Sequence, residues 1–119
     1  MKTVLFLDDS ADFLSLVKIF VERRCECKAL TLISYEDFIA HEKAVLESDI
    51  AFLDINLGPN SPSGIEAFHW LRKNGYAKPI YFLTGHAKNS PMVLEAEALH
   101  DVKVLSKPLP NHELKALLL

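Results

Sequence analysis

Short apolar runs alternate along this chain with longer stretches of helical periodicity, and this alternation constrains the fold more than any other feature. The runs with the length and composition of strands are residues 2–7, Lys28–Ile33, Ile50–Asp54, Ile80–Thr84 and Val102–Leu105. Such an alternation is typical of an α/β domain built on a parallel sheet. The third run is apolar almost throughout, as expected for a strand covered on both faces.

The stretches between these runs carry helix signals. Phe13, Leu16, Val17 and Phe20 recur at the spacing of one helical face, so we predict that this stripe faces the core. The other predicted helices run from Ser34 to about Glu47, through Ile65, Phe68, Trp70 and Leu71 to Asn74-Gly75, from Ser90-Pro91 onward, and from Pro110 or Asn111 to the end. The chain thus reads as five strand–helix pairs.

Length and charge exclude several classes of protein. A chain of 119 residues fits one domain, and we expect a single unit over residues 1–119 without a further output domain. The net charge is -3 and the 13 basic residues are scattered, which argues against a nucleic-acid surface. No segment approaches the roughly 18 consecutive apolar residues that a membrane span needs. We therefore expect a cytoplasmic protein that binds neither membrane nor nucleic acid.

The cysteines and histidines do not form a metal-binding pattern. Cys25 and Cys27 are too close in sequence for a relaxed disulfide, so we interpret them as reduced thiols. No residue nearby completes a tetrahedral set with them. The five histidines, at positions 41, 69, 86, 100 and 112, likewise lack ligand spacing.

Polar side chains stand where the predicted strands end. Asp8 and Asp9 follow the first strand, Asp54 ends the third, Thr84 ends the fourth, and Lys107 follows the fifth. In an open parallel sheet the ligand site lies beyond the carboxyl ends of the strands. We therefore expect three carboxylates, a hydroxyl and an ammonium group to meet at one edge.

Three carboxylates in one pocket need a positive charge among them. At 4 Å two of them repel by roughly 4 kcal/mol if the effective dielectric constant is about 20. Oxygen ligands without histidine or cysteine suit Mg²⁺, with Mn²⁺ as an alternative. A metal ion and Lys107 together could hold a phosphoryl group, and Asp54 is then the candidate nucleophile, since carboxylates form aspartyl phosphates.

Four motifs, in order and in register, resemble the receiver domain of bacterial two-component response regulators, the CheY-like superfamily. They are Asp8-Asp9, Phe52–Leu57, Leu83–Ala87 and Leu105–Pro108. The resemblance covers the whole chain. It implies a flavodoxin-like, doubly wound (βα)5 fold, a three-layer sandwich whose parallel sheet has the strand order 2-1-3-4-5.

The resemblance also implies a role for each matching residue. Asp54 matches the phosphoacceptor, Asp9 a direct Mg²⁺ ligand, and Asp8 a neighbour that acts through metal-bound water. The backbone carbonyl of Asn56 matches a further metal ligand. Thr84 and Lys107 match the groups that contact the phosphoryl oxygens, and the Lys107–Pro108 peptide bond is expected to be cis. Asn56 and His86 occupy the positions that tune phosphate lifetime.

Two departures from the family pattern bear on signalling. Val104 stands where the family has an aromatic switch residue, which puts in doubt the usual coupling between the threonine and that ring. The loop between Asp54 and Gly64 is longer than the family's by about two residues, Asn56–Ser63 being rich in Gly, Pro and Ser.

The leading hypothesis is a phosphorylation-dependent switch rather than a turnover enzyme. Its partners would be a sensor histidine kinase or phosphotransfer protein and an unknown output protein, with the chain a monomer or a weak phosphorylation-dependent dimer. One alternative is a degenerate receiver that binds partners without phosphorylation, favoured by Val104 and the longer loop. A third, an aspartyl-phosphate phosphatase of the haloacid-dehalogenase type, needs Asp-x-Asp at the nucleophile, where this chain has Asn56.

Overall fold

The computed structural model describes residues 1–85 and 90–119, which form a five-stranded parallel sheet with helices on both faces. The strands are β1 (Thr3–Leu7), β2 (Lys28–Leu32), β3 (Ile50–Asp54), β4 (Ile80–Thr84) and β5 (Val102–Ser106). The helices are α1 (Ala11–Arg24), α2 (Tyr35–Ala40), α3 (Glu42–Glu47), α4 (Gly64–Lys73), α5 (Pro91–Glu97) and α6 (Asn111–Leu118). The strand order β2-β1-β3-β4-β5 confirms the predicted fold.

Alternate residues of each central strand point to two separate cores. Val4 and Phe6 of β1 pack with α1 and α6, whereas Leu5 and Leu7 pack with the helices on the other face. Every residue of β3 is buried, as expected for a central strand of a parallel sheet. The sheet is thus packed against helices on both faces.

The strand register brings together the strand ends that carry the predicted site residues. Leu7 pairs with Leu53, the residue before Asp54, and Thr84 pairs with Ser106, the residue before Lys107. Because the strands are parallel, all of these ends lie along one edge of the sheet.

The predicted core stripe of α1 is wrong at Leu16. The buried residues of α1 are Leu14, Val17 and Val21, whereas Leu16 is 70% exposed. Phe13 and Phe20 are partly buried beside that core. Apolar residues surround much of this helix, so their spacing alone does not decide which face packs on the sheet.

The predicted helix from Ser34 to Glu47 is two helices, because the backbone leaves the helical conformation at His41 (φ -105°, ψ 32°). The His41 ring nitrogen Nδ1 lies 2.8 Å from the carbonyl oxygen of Asp37. The buried Phe38 and Val45 lie on the same face before and after the break, so the hydrophobic spacing gives no sign of it.

The predicted strand ends differ from the observed ones by at most about one residue, which is the usual disagreement at the ends of elements.

Candidate functional site

Two acidic residues lie buried at strand ends, and a third lies exposed beside them. Asp8, which follows β1, is 1% exposed, and Asp54, the last residue of β3, is 6% exposed. Asp9 is exposed on the loop to α1. One carboxylate oxygen from each residue lies within 4.8 Å of the other two. The structure therefore brings together the three carboxylates singled out from the sequence.

Lys107 reaches the two buried carboxylates from the end of β5. Its Nζ lies 2.5 Å from Oδ2 of Asp8 and 3.5 Å from Oδ2 of Asp54. Its backbone N–H donates to the carbonyl oxygen of Thr84 at 2.8 Å, and the peptide bond to Pro108 is cis. The ammonium group is thus placed between β1 and β3 by a backbone tied to β4.

Phe13 belongs to the surroundings of the site, a position that the sequence did not reveal. The Nζ of Lys107 lies 4.8 Å from the centroid of the Phe13 ring. A ring face attracts a cation, so Phe13 adds to the attraction that holds the lysine in place. The apolar spacing of α1 could not distinguish this role from ordinary packing.

Backbone N–H groups fix the orientation of the acidic side chains. Oδ1 of Asp8 accepts a hydrogen bond from the N–H of Ser10 at 2.9 Å, and Oδ1 of Asp54 accepts one from Asn56 at 3.3 Å. The side-chain oxygen of Asn56 accepts in turn from the N–H of Gly58 at 3.0 Å. These short-range bonds are typical of Asp and Asn in turns, and they hold the start of the loop over the site.

Thr84 and Val104 lie on the neighbouring strands. Thr84 ends β4 and is 3% exposed. Val104 pairs with Phe82 of β4 and is partly buried against the core formed with α2 to α5. His86, the residue proposed to tune phosphate lifetime, lies outside the described residues.

The glycine at position 64 is required by the close approach of α4 to β3. A Cβ atom on Gly64 would lie 2.1 Å from the carbonyl oxygen of Asp54. The N–H of Gly64 donates to the carbonyl oxygen of Ile55 at 2.9 Å, which ties the start of α4 to the end of β3. The absence of a side chain at Gly64, which follows the Asn56–Ser63 loop, therefore allows α4 to approach the backbone of Asp54 this closely.

The electrostatic environment raises the pKa of Asp54 and that of Lys107. Burial, followed by the charge of Asp8, raises the Asp54 pKa from 3.8 to about 7, against the opposing charge of Lys107. For Lys107, burial alone would lower the pKa, but the hydrogen bonds and charges of Asp8 and Asp54 outweigh it and raise the pKa. A further positive charge in the pocket would favour the ionised form of Asp54.

The raised pKa of Asp54 predicts that the metal-free protein loses stability as the pH rises from about 4 to 7. Over that range folded Asp54 keeps a proton that the unfolded chain releases, so higher pH favours unfolding. Asp54→Asn should remove this loss and make the protein more stable than wild type at pH 8, by about 2 kcal/mol.

Urea unfolding in the presence of EDTA at several pH values measures this difference. Groups outside the pocket titrate alike in both proteins, and Lys107, whose pKa Asp54 raises, keeps its proton over this pH range, so the wild-type minus variant difference reports mainly the titration of Asp54. Parallel stability curves for the two proteins would show that Asp54 titrates normally.

The donor set fits a hard divalent cation. The ligand atoms that Asp8, Asp9 and Asp54 offer are all carboxylate oxygens, and this cluster of described residues contains no histidine nitrogen or cysteine sulfur. Mg²⁺ prefers such ligands and typically uses only one or two carboxylates, keeping several waters. The exposure of Asp9 leaves one side of the cluster open to solvent, so an ion and its waters have access.

Comparisons with known proteins agree with this geometry. A sequence model described as response regulator receiver domain matches residues 4–119. The chemotaxis protein CheY4 of Vibrio cholerae is 25% identical, with 98% of this chain and 96% of that one covered and a TM-score of 0.78. A response regulator receiver domain protein of Clostridium thermocellum is 21% identical, with coverages of 99% and 91% and a TM-score of 0.80.

A third similar structure is the BeF3-activated receiver domain of DrrB, a Thermotoga maritima protein. It is 24% identical, with coverages of 98% and 92% and a TM-score of 0.76. No curated protein sequence matches this chain significantly. In the described residues, no helix is long and apolar enough to cross a membrane.

Proposed function

The chain belongs to the response regulator receiver domain family, and from this premise we propose that it is a switch phosphorylated on Asp54. The donor would be a phosphohistidine of a sensor kinase or a phosphotransfer protein. The observation that carries the proposal is the convergence of the buried Asp54 with Asp8, Asp9 and Lys107 at one edge of the sheet. Receiver domains are signalling modules rather than conventional enzymes.

Mg²⁺ would be held by the carboxylates of Asp8, Asp9 and Asp54 together with the backbone carbonyl of Asn56. When bound, the ion supplies positive charge that offsets the negative oxygens of the phosphoryl group. Asp9 is the group best placed to bind it directly, because it is exposed and Asp8 is already held by Lys107.

Asp54 acts as the nucleophile in the proposed transfer. A carboxylate oxygen of Asp54 forms the new bond to phosphorus while the bond from phosphorus to the donor's imidazole nitrogen breaks, and the imidazole keeps that electron pair. Lys107 Nζ, 3.5 Å from Oδ2 of Asp54, stabilises negative charge on the transferring group. The hydroxyl of Thr84, at the end of the adjacent strand, would then hydrogen-bond a phosphoryl oxygen.

Phosphorylation would pass to an output protein through a change around β4, β5 and the helices beside them. Val104 carries no aromatic ring, and in this proposal the change passes instead through the end of β4 at Thr84 and the hydrogen bond from the Lys107 N–H to the Thr84 carbonyl oxygen. The same proposal places the domain in the cytoplasm.

Val104 also favours a second candidate function, a module that binds partners without phosphorylation. Adding beryllofluoride and Mg²⁺ while recording amide NMR shifts distinguishes the two. For a switch, we expect shifts that spread from Asp54 to Val104 and α6. Shifts confined to the site loops would instead favour the binding module.

Removing the exposed carboxylate should weaken metal binding. We expect Asp9→Asn to reduce the Mg²⁺ affinity at least about tenfold, a loss of about 1.4 kcal/mol, because the variant lacks one negative ligand. Isothermal titration calorimetry measures the affinity. Asp101→Asn is the matched control, since it removes the same charge on the loop before β5, at the opposite edge of the sheet. Equal affinities in both variants would exclude Asp9 as a ligand.

A further inference from the structure

An aromatic ring, that of Phe13, faces the lysine of the proposed phosphorylation site. The Nζ atom of Lys107 lies 4.8 Å from the centroid of this ring, 2.5 Å from Oδ2 of Asp8 and 3.5 Å from Oδ2 of Asp54. Phe13 is partly buried, and the lysine side chain is 23% exposed. Of these three partners of the ammonium group, the two aspartates can carry a charge and the ring cannot.

The Phe13 ring is held by a row of aromatic side chains that crosses the sheet. Its edge packs against Phe6, with 6.4 Å between the ring centroids and 72° between the ring planes. Phe6 stacks on Phe52 at 5.1 Å, and Phe52 stacks on Tyr81 at 5.2 Å. These three residues are direct neighbours in the register of β1, β3 and β4. Phe6 and Phe52 each lie two residues before a buried site aspartate, so the strands that place those carboxylates also place the ring.

The backbone at the start of α1 joins Phe13 to the same site. The N–H of Phe13 donates to Oγ of Ser10 at 3.2 Å, and the N–H of Ser10 donates to Oδ1 of Asp8 at 2.9 Å. The other carboxylate oxygen of Asp8 pairs with Lys107, whose ammonium group lies over the Phe13 ring. Asp8, Ser10, Phe13 and Lys107 therefore form a closed set of contacts, in which the position of each one limits the others.

We propose that Phe13 is a positioning residue for phosphoryl transfer, and that its ring keeps the ammonium group of Lys107 beside Asp54. This inference rests on the proposed function. The face of an aromatic ring attracts a cation without accepting a conventional hydrogen bond from it. An ammonium group has three N–H donors, and because the ring uses none of them, they can serve the two carboxylates and a phosphoryl oxygen.

An uncharged partner suits a lysine that must change its contacts. Lysine carries its charge on a long flexible stem, so the ammonium group needs a partner that limits its positions. Asp8 is also a proposed ligand of Mg²⁺, so its hold on Lys107 would weaken with an ion bound, whereas the ring attracts the lysine in either case. A third carboxylate at position 13 would instead compete with the phosphoryl oxygens for the ammonium group.

NMR of the metal-free protein tests the contact without any reaction. The ε-methylene protons of Lys107 are bonded next to Nζ, so they lie close to the ring and should be shifted upfield by its ring current. In EDTA, we expect Phe13→Leu to move these resonances downfield, whereas Phe13→Tyr, which keeps a ring, should leave them near their wild-type position. Equal shifts in wild type and Phe13→Leu would show that the lysine does not rest on the ring.

The rate of phosphorylation by acetyl phosphate and Mg²⁺ tests the consequence of the contact. This small donor needs no docking surface for a kinase, so the rate reports the site itself. We expect Phe13→Leu to react about fivefold more slowly than wild type, which corresponds to about 1 kcal/mol and lies in the range of a partly exposed cation–π contact. Phe13→Tyr should react at close to the wild-type rate. Intact-protein mass spectrometry at successive times measures both.

Phe20→Leu is the matched control for the rate measurement. Phe20 is also on α1, is partly buried in the same core and lines the same groove, but it lies about 10 Å further along the helix. It should react at the wild-type rate, and circular dichroism checks that all variants fold. Equal rates for Phe13→Leu and Phe20→Leu, or a Phe13→Tyr as slow as Phe13→Leu, would overturn the role of the Phe13 ring. A wild type that takes up no phosphoryl group would overturn the proposed function itself.

Discussion

Asp54→Asn is expected to take up no phosphoryl group from acetyl phosphate in the presence of Mg²⁺, whereas the wild-type protein gains the mass of one. The amide of asparagine is a poor nucleophile and cannot form an acyl phosphate. The neighbouring carboxylates are not equivalent replacements, because Asp8 is already held by Lys107 and Asp9 is exposed. Intact-protein mass spectrometry measures the incorporation directly.

Asp101→Asn is the control for this experiment. It makes the same substitution at the opposite edge of the sheet, in a residue with φ 61°, a conformation that asparagine tolerates. It should gain the same mass as wild type. Phosphorylation of Asp54→Asn to the wild-type level would show that another residue is the acceptor.

Gly64→Ala is expected to destabilise the protein by about 3 to 5 kcal/mol. The added Cβ would lie 2.1 Å from the carbonyl oxygen and 2.9 Å from the carbonyl carbon of Asp54, both of which are backbone atoms of a buried strand. Neither can move without displacing β3 or α4. The change should also reduce phosphorylation of whatever protein remains folded, because Asp54 itself shifts.

Gly75→Ala provides the comparison in the same urea unfolding experiment. Gly75 has φ 83° and no atom within 4 Å of its would-be Cβ, so only backbone strain opposes alanine there, about 1 kcal/mol. Similar losses of unfolding free energy in both variants would mean that the contact between Gly64 and Asp54 is not restrictive.

The sheet and the convergence of the site were predictable from the sequence for one physical reason. Parallel strands joined by helices end at the same edge, so Asp8, Asp54 and Lys107 could be placed together without knowledge of side-chain packing. The strand order came from the family resemblance, because the spacing of the apolar runs does not determine which strands are neighbours in the sheet.

Features that depend on three-dimensional packing were not predictable. The buried face of α1 was misassigned at Leu16 because apolar residues surround that helix. The break at His41 leaves Phe38 and Val45 on one face, so the periodicity does not change. The contacts of Phe13 with Lys107 and of Gly64 with Asp54 join distant parts of the chain, and no local pattern marks them.

The position of the phosphoryl group tests the central claim most directly. Borohydride reduction of the phosphorylated protein converts an aspartyl phosphate to homoserine, and peptide mass spectrometry locates the altered residue. We predict homoserine at position 54, with unaltered aspartate at positions 8 and 9. Homoserine at another position, or none after incubation with acetyl phosphate and Mg²⁺, would contradict the assignment of Asp54 as the phosphoacceptor.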